Sequence, residues 1–549
     1  MKIVLVALNS SYTHTNPAVR IFADLLKEKH DVEIFETTVN DKGGVLLLCE
    51  KLFEMKADMY AFSVYIWNRA MQLEAAKTIK KLLPQCVTVV GGPEVSFCDR
   101  LFLGENEYID YLIKGEGEKA ICDIADGKYP TGSVVDGGIY EDFPGSDEPY
   151  FCASHPSGCK DGALLYYESS RGCPYNCSYC LSSVKKAGER VRAKNVEKVK
   201  SELSHILSQN IRTLKFVDRT FNFDKARARE IFSYIIDFCN KNSGKCPTCH
   251  FEICAALLDD QTIEILSQAS EKLLRFEIGV QTATHETLCE IGRRDDTEII
   301  IENVKKLKEK TKVTVHLDLI CGLPYDSYDK IAVAFDKIYG LADHLQVGIL
   351  KLLHGTKMRD MAEKYGMKFL DSPPYTLLFS DTFSFSQMRR LSGIADTVED
   401  FSEKDSGFYT AISYLVSLVP SAFEFYEKLF DYFSCDKNVS HREKYALLAR
   451  FAVEKLCISG EKEIILREKL RFDFLTSNQG RVPVQIERIY TDGEREELAM
   501  ARSLAVHEAP KGEGEFFVPA LETHLFAFDQ QKIYLIDRKN KLVQTRERS

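Results

Sequence analysis

Apolar positions in the first 130 residues fall into short continuous blocks separated by stretches with helical spacing. The blocks cover 2–8, 31–36, 58–65, 87–90 and 109–114 and are rich in β-branched residues, whereas Val19 to Leu26 and Met71 to Leu83 place apolar residues every third or fourth position. Five buried strands with helical crossovers predict a doubly wound, Rossmann-like parallel α/β sheet over residues 1–135. A second series of blocks runs Leu164 to Glu168, Thr213 to Val217, Cys249 to Ile253, Arg275 to Val280, Thr314 to Ile320 and Leu345 to Leu350. These predict six βα units of a partial (β/α)6 TIM-type barrel over 161–365, after a linker at 136–160. From 366 to 549 the alternation is lost. Residues 385–470 read as mostly helical, with apolar runs Tyr414 to Phe433 and Lys444 to Cys457. Strand-like segments follow at Val482 to Ile489 and in a hairpin of Ile533 to Ile536 with Leu542 to Gln544, so the C-terminal region is a mostly helical α+β unit.

Composition narrows the class. At 549 residues with 45% apolar content, the chain has material for several cores. No apolar run approaches the 18 or so residues of a membrane span, and the opening Lys2 to Leu8 run is too short for a signal peptide's apolar core. An odd total of 17 cysteines without a framework pattern argues against a secreted disulfide scaffold, so the expected location is the cytoplasm. The net charge of −10 disfavours general nucleic-acid binding, though not a local basic groove, and leans toward a small molecule or peptide as substrate.

The most specific chemistry lies in Arg171-Gly172-Cys173-Pro174-Tyr175-Asn176-Cys177-Ser178-Tyr179-Cys180. By chance, this cysteine spacing is expected roughly 0.02 times in a chain of this composition. Three thiolates on one short loop can hold three irons of a four-iron cube and leave the fourth open. A zinc site asks for a fourth ligand in register that the spacing does not supply, and reduced core cysteines seldom lie in a loop punctuated by Gly, Pro and Asn. Cys246-Pro247-Thr248-Cys249 is a lone C-x-x-C and a weak candidate for a second cluster.

This motif, with aromatic Tyr179 before its last cysteine, resembles the signature of the radical S-adenosylmethionine (SAM) enzymes. The loops after the first sheet's strands extend the resemblance to the cobalamin-dependent members: Asn9-Ser10-Ser11-Tyr12-Thr13-His14, Ser63-Val64-Tyr65-Ile66-Trp67-Asn68, Gly91-Gly92-Pro93-Glu94 and Gly115-Glu116-Gly117-Glu118. Such loops sit where parallel sheets bind ligands. Gly91 and Gly92 permit close backbone approach, and Asn9 and Ser63 offer small polar groups. Read alone, Gly-Gly-Pro is an ordinary turn, and Glu116 and Glu118 suit a helix start. The resemblance implies a corrinoid contacted by Asn9, Ser10, His14, Ser63, Tyr65, Gly91, Gly92, Glu94, Gly115 and Glu116. The His14 loop has Tyr12 and Pro17 where a cobalt-ligating Asp-x-His-x-x-Gly loop has Asp and Gly, so no histidine is expected below cobalt.

In the barrel the resemblance implies cluster ligation by Cys173, Cys177 and Cys180. SAM contacts are implied from Tyr179, Asp218 near the methionyl group, Glu252 at the ribose, Glu277, Gln281, and a backbone platform at Gly322 and Leu323 near adenine. Duller readings stand beside these, such as an Asp218–Arg219 surface pair or Glu277 paired with Arg293 or Arg294. The cofactors implied are a [4Fe-4S] cluster, SAM and cobalamin, with a flavodoxin- or ferredoxin-type electron donor as partner. The activity implied is a methyltransferase acting on an unactivated carbon, in which one SAM methylates the corrinoid and a second yields the adenosyl radical. A radical rearrangement or oxidative cyclisation, or a corrinoid- or redox-sensing protein without turnover, remains the alternative. The C-terminal region resembles a domain of unknown function found behind such enzymes.

Overall fold

The computed structural model describes residues 1–140, 164–184, 190–242, 246–293, 295–402, 406–434, 439–478, 480–488, 490–508, 521–526, 529–538 and 542–547. Most of the expected 136–160 linker lies outside them.

The first sheet begins with β1 (Lys2–Asn9), whose apolar run is buried on both faces as a central parallel strand requires. Helix α1 (Pro17–Leu26) starts where the Asn16 side chain accepts from the Ala18 and Val19 amides and Pro17 takes the first helical position. The series continues through β2 (Asp31–Thr38), α2 (Gly44–Met55), β3 (Met59–Ser63), α3 (Arg69–Leu82), β4 (Val87–Gly91), α4 (Arg100–Glu105), β5 (Tyr111–Lys114) and α5 (Glu118–Ala125). A short strand β6 (Ser133–Asp136), not expected from the pattern, pairs with β5 and completes a parallel sheet of order β2-β1-β3-β4-β5-β6. Each face carries its own apolar layer, one around Leu52, Tyr60 and Ile79, the other around Val19, Ala120 and Ile121.

The barrel opens with β7 (Leu164–Tyr167), then a small pairing of β8 (Ser170–Arg171) with β9 (Arg192–Ala193) that brackets the cysteine loop. It proceeds through α6 (Val196–Ile206), β10 (Thr213–Phe216), α7 (Lys225–Lys241), β11 (Thr248–Ile253), α8 (Asp260–Leu266), β12 (Leu274–Gln281), α9 (His285–Glu290), α10 (Thr297–Lys310), β13 (Thr314–Cys321), α11 (Tyr328–Ile338) and β14 (His344–Ile349). The order β14-β13-β12-β11-β10-β7 is parallel throughout and matches the six expected strands. Strand alternation sends Phe216, Phe251, Phe276 and Leu317 into the helix-side core. Lys215, Glu252, Arg275, Glu277, His316 and Asp318 occupy the opposite, inner face.

Beyond the barrel lie α12 (Lys357–Asp360), the pair β15 (Lys368–Phe369) and β16 (Leu377–Phe379), and helices α13 (Phe385–Ser402), α14 (Tyr409–Ser417), α15 (Ala422–Ser434), α16 (His441–Leu456), α17 (Glu461–Ser477) and α18 (Asp492–Glu508). The expected helical run Tyr414 to Phe433 is two helices, divided at the Leu418 to Ser421 stretch that contains Pro420. A capping box of Ser440 and Glu443 starts α16. Helix α13 packs against β14, and the core of helices α13 to α17 is continuous with that of the barrel, while Leu498 and Ala501 of α18 form a small cluster of their own.

A three-stranded antiparallel sheet of β17 (Leu521–Phe526), β18 (Asp529–Asp537) and β19 (Leu542–Glu547) contains the expected hairpin, with Ile536 opposite Val543. The expected strand at Val482 to Ile489 is instead a turn of 3₁₀ helix at Val484–Ile486. Pro483 precedes it, and Val484 stays 73% exposed, with no strand paired to it among the described residues. Cys246 of the lone C-x-x-C is disulfide-bonded to Cys239 of α7, while Cys249 points into the core. The two cysteines therefore do not form a ligand pair. Among the described residues, no helix is long and apolar enough to cross a membrane.

Candidate active site

Two cavities open at the carboxyl ends of the two sheets. The larger, about 660 Å³, lies between them and is lined by the loops after β1, β3, β4 and β5 on one side and by Tyr166, Glu168, Arg171, Val217 and Arg219 on the other. The smaller, about 200 Å³, is lined by Cys173, Cys177, Cys180, Tyr179, Glu252, Glu277, Gln281 and their neighbours. Arg219 is common to both.

The larger cavity's walls are held by bonds internal to the loops. The Asn9 amide donates to the His14 carbonyl at 2.8 Å and to Glu36 at 2.9 Å. Asn68 accepts from the Tyr65 amide and donates to the Leu8 carbonyl, fixing the β3 loop. On that loop Tyr65 and Trp67 stack with centroids 4.5 Å apart. Asn9, Ser10, His14, Ser63, Tyr65, Gly91, Gly92, Gly115 and Glu116 all line this cavity.

Glu94 does not line it. Its carboxylate turns toward Arg69, 3.0 Å away, and the Tyr375 hydroxyl. The two glycines also serve a different need than ligand approach alone. Gly92 has φ +115°, and a Cβ there would meet the Val64 carbonyl oxygen at 2.5 Å, while one on Gly91 would touch Ile113. The His14 ring is held by Ser10 at 3.0 Å and Tyr166 at 3.4 Å, with burial lowering its pKa. A hydroxyl stands where a cobalt-ligating histidine would have a carboxylate partner.

Glu116 serves as a clamp between the sheets. It accepts from the Tyr140 amide at 2.6 Å, from Arg192 and from Arg171. Arg171 in turn holds Glu118 at 2.8 Å and Glu168 through two bonds of 2.9 and 2.8 Å. Burial opposes its charge, and the three carboxylates overcome that cost and raise its pKa.

The cysteine loop is pinned from several sides. Ser178 donates its amide to the Ile291 carbonyl and receives the Met358 amide on its own, both at 2.8 Å. The Ser183 hydroxyl bonds the carbonyls of Cys177 and Cys180. Gly292 lets the chain pass so close that a Cβ would lie 3.0 Å from the Asn176 carbonyl oxygen. Cys173 and Cys177 are buried and Cys180 is half-buried. Among the described residues, no three His, Cys, Asp or Glu side chains converge as ligands of one ion. A four-iron cluster takes one thiolate per iron and does not need such convergence, so three thiols around one small cavity fit it.

Asp218 lines neither cavity. It is fully buried and accepts from the Ser169 amide at 2.9 Å and the hydroxyls of Ser169 and Ser170 at 2.6 and 2.5 Å, anchoring the start of the cysteine loop. Gly322 and Leu323 also lie elsewhere. Leu377 and Met388 crowd the position a Gly322 Cβ would take, and Leu323 is buried in the core. The chain beyond the barrel covers that strand end.

The smaller cavity gathers carboxylates. Glu277 is bonded to His250 at 3.0 Å and Lys215 at 3.2 Å, rather than to Arg293; burial alone would raise its pKa, yet these partners bring it to about 2. Asp318 is pushed up to about 8 by burial and by the charges of Glu277 and Glu252. Burial also raises Glu252, against its pairing with Arg219 at 3.3 Å. Gln281 sits at φ +72° on a register shift at the end of β12, its Oε1 buried without a partner. Asp318 Oδ1 and Arg293 Nε share that state among the described residues. Polar atoms in this condition suit a ligand that satisfies them.

Arg171, Arg219, Arg293 and Asp318 were not singled out as site residues by the sequence. For Asp318 a signal existed: Thr314, His316 and Asp318 alternate with Val315, Leu317 and Leu319, the period of a strand with a polar inner face.

Fold and site thus define a Rossmann-like ligand-binding sheet docked on a barrel that carries a three-thiol loop. Residues 3–125 match the B12 binding domain, 167–338 the radical SAM superfamily, and 363–508 a protein family of unknown function, DUF4080. The chain belongs to the cobalamin-dependent radical SAM family, whose cofactors are cobalamin, SAM and a [4Fe-4S] cluster.

It is 25% identical over 364 residues to a 2-(S-pantetheinyl)-carbapenam-3-carboxylate methyltransferase of Streptantibioticus cattleyicolor, covering 59% of this chain and 51% of the relative. It is 22% identical to the cobalamin-dependent radical SAM methyltransferase TokK of Streptomyces tokunonensis, covering 58% and 51%. The chain therefore spans about half the length of these two relatives. The fold is similar to that of TsrM from Kitasatospora setae (TM-score 0.56, 17% identity, 68% of this chain and 80% of that one). It is also similar to OxsB (TM-score 0.53, 16% identity, 86% and 75%).

Proposed function

We propose that the chain is a methyltransferase that places a methyl group on an unactivated carbon of a small molecule or peptide, with electrons from an external flavodoxin- or ferredoxin-type donor. The observation that carries this reading is the meeting of the two cavities at Arg219, which puts a substrate held there in reach of both. Methyltransferase names among the relatives support it. When bound, the cluster supplies the electron that cleaves SAM and the corrinoid carries the methyl group.

The chain's own part is to hold and enclose. Cys173, Cys177 and Cys180 would ligate the cluster, and Tyr179, Glu252, Glu277 and Gln281 would line the SAM site. Asn9, Ser10, His14, Ser63, Tyr65, Gly91, Gly92, Gly115 and Glu116 would face the corrinoid. Asp218, Glu94, Gly322 and Leu323 then act as supports behind these walls. In this division, residues through Asp136 form the corrinoid unit, those from Leu164 to about 365 the radical barrel, and the remainder its cover.

The test is anaerobic reconstitution with iron, sulfide and cobalamin, addition of SAM and reductant, and quantification of S-adenosylhomocysteine and 5'-deoxyadenosine. Both are expected, with 5'-deoxyadenosine lost when the three cysteines become alanine. 5'-Deoxyadenosine without S-adenosylhomocysteine would indicate rearrangement or cyclisation instead. Neither product from a fully loaded protein would indicate a sensor.

A further inference from the structure

Three arginines border the cavities, and two are drawn out of solvent by bonds to several neighbours, with only Arg293 Nε left over among their described contacts. Arg171 is held by three carboxylates with its side chain 18% exposed, and Arg293 by the Gly279 carbonyl, Asp295 and Tyr179 at 11%. Arg219 has its side chain 54% exposed, and among the described residues its guanidinium meets one partner, Glu252 at 3.3 Å from a single nitrogen. A one-point pair of that length contributes at most about 1 kcal/mol. It leaves a planar fork of five donors with an unused edge, and such forks match the two oxygens of an oxyanion. Glu252, Glu277 and Asp318 occupy the cluster side of this junction. The ionised Glu277 carboxylate repels an anion from that side, and Arg219, which lines both cavities, draws it toward the larger one.

We propose that Arg219 is the substrate's anion receptor, so that the substrate carries a carboxylate or phosphate bound at the junction of the two cavities. This rests on the methyltransferase reading and names its substrate class. The oxyanion oxygens accept from the free guanidinium edge, leaving the rest of the substrate between the corrinoid side and the cluster side. Two other oxyanions share this chemistry, the carboxylate of SAM and the phosphate of the corrinoid, and the experiment separates them.

Cofactor-loaded wild type, Arg219→Gln and Arg219→Lys are incubated anaerobically with a small-molecule extract of the source cells and passed through gel filtration. Ligands released by denaturation are then identified by mass spectrometry. The expected result is a set of anionic compounds retained by wild type, reduced roughly tenfold or more by Arg219→Gln and partly restored by Arg219→Lys, with SAM and corrinoid contents unchanged. Equal retention by wild type and Arg219→Gln overturns the proposal, as does a differing set that is neutral or cationic, or a wild type that retains no such compound. Loss of SAM or corrinoid from Arg219→Gln also overturns it, by assigning Arg219 to a cofactor. Addition of reductant tests the underlying reading separately. Arg219-dependent anions that bind but gain no methyl group refute methyl transfer while leaving the receptor. Methylated compounds retained independently of Arg219 refute the receptor while leaving methyl transfer.

Discussion

The two cavities meet at one arginine yet are built on opposite principles. In the larger, several polar groups of the wall are engaged by neighbouring segments: Asn9 holds the His14 carbonyl, Asn68 holds the Tyr65 turn, and Glu116 holds the neighbouring domain, while Thr15 Oγ1 and part of Arg219 are left over. Much of what faces the space is apolar or small, including Phe22, Phe62, the glycines and the Tyr65–Trp67 stack. In the smaller, Asp318 Oδ1, Gln281 Oε1 and Arg293 Nε are buried without partners among the described residues. A large, flat ligand can be held by shape over a preformed surface, whereas a small charged one must be met by groups left unsatisfied until it arrives.

The strongest way to break this comparison is to remove one side entirely. Alanine at Cys173, Cys177 and Cys180 should abolish iron binding while corrinoid content stays within about twofold of wild type, because no thiolate contributes to the larger cavity. Parallel loss of both would show that the cavities are not independent. Next in size is the clamp. Arg171→Ala leaves Glu116, Glu118 and Glu168 close together without their shared cation, and should cost roughly 3–5 kcal/mol in urea denaturation.

A smaller change should touch the larger cavity alone. Gly92→Ala forces a Cβ against the Val64 carbonyl at a left-handed φ, at a cost of up to about 3 kcal/mol. Trp67 is the chain's sole tryptophan and lines that cavity, so corrinoid titration should quench its emission in wild type and much less in the variant. Iron content should not change.

Acid should act on the barrel side. His316, half-buried on the inner face, has its pKa lowered from 6.5 to about 3 by desolvation and by the neighbouring His344, Arg275 and His250 side chains. A depressed folded pKa means the stabilisation is complete above 6.5 and lost as pH falls from 6.5 toward 3. At pH 5 the loss is about 2 kcal/mol, and His316→Gln should flatten the dependence of stability on pH over that window. The smallest effect is expected at His14. With the Ser10 and Tyr166 hydroxyls as its ring's partners among the described residues, His14→Ala should leave the corrinoid's visible spectrum largely unchanged, and a clear shift would place histidine on the cobalt after all.

The strands were legible because β1 is a continuous apolar run and the barrel strands pair an apolar outer face with a regular inner one. The thiol loop was legible from its spacing. What escaped depends on contacts between distant residues. Arg171 meets Glu116 and Glu118 from 50 or more positions away, and nothing local marks it as a clamp. Asp218 and Glu94 look like ligand groups in sequence, yet each has its carboxylate engaged by neighbours that only the fold brings near. Gly322 lies away from both cavities, with Leu377 and Met388 from the following region filling the space above it, a contact no local pattern marks. The Val482 to Ile489 segment has strand-like residues, but strands need a partner edge, and none pairs with it among the described residues.

In the proposed enzyme, cluster and corrinoid face each other across one junction. The direct measurement is electron paramagnetic resonance on protein loaded with both and poised with the cluster reduced and cobalt divalent. Dipolar broadening and faster relaxation of both signals are expected relative to samples carrying either centre alone. Two signals that superimpose unchanged on those of the singly loaded samples would mean the centres are far apart, and would contradict that arrangement.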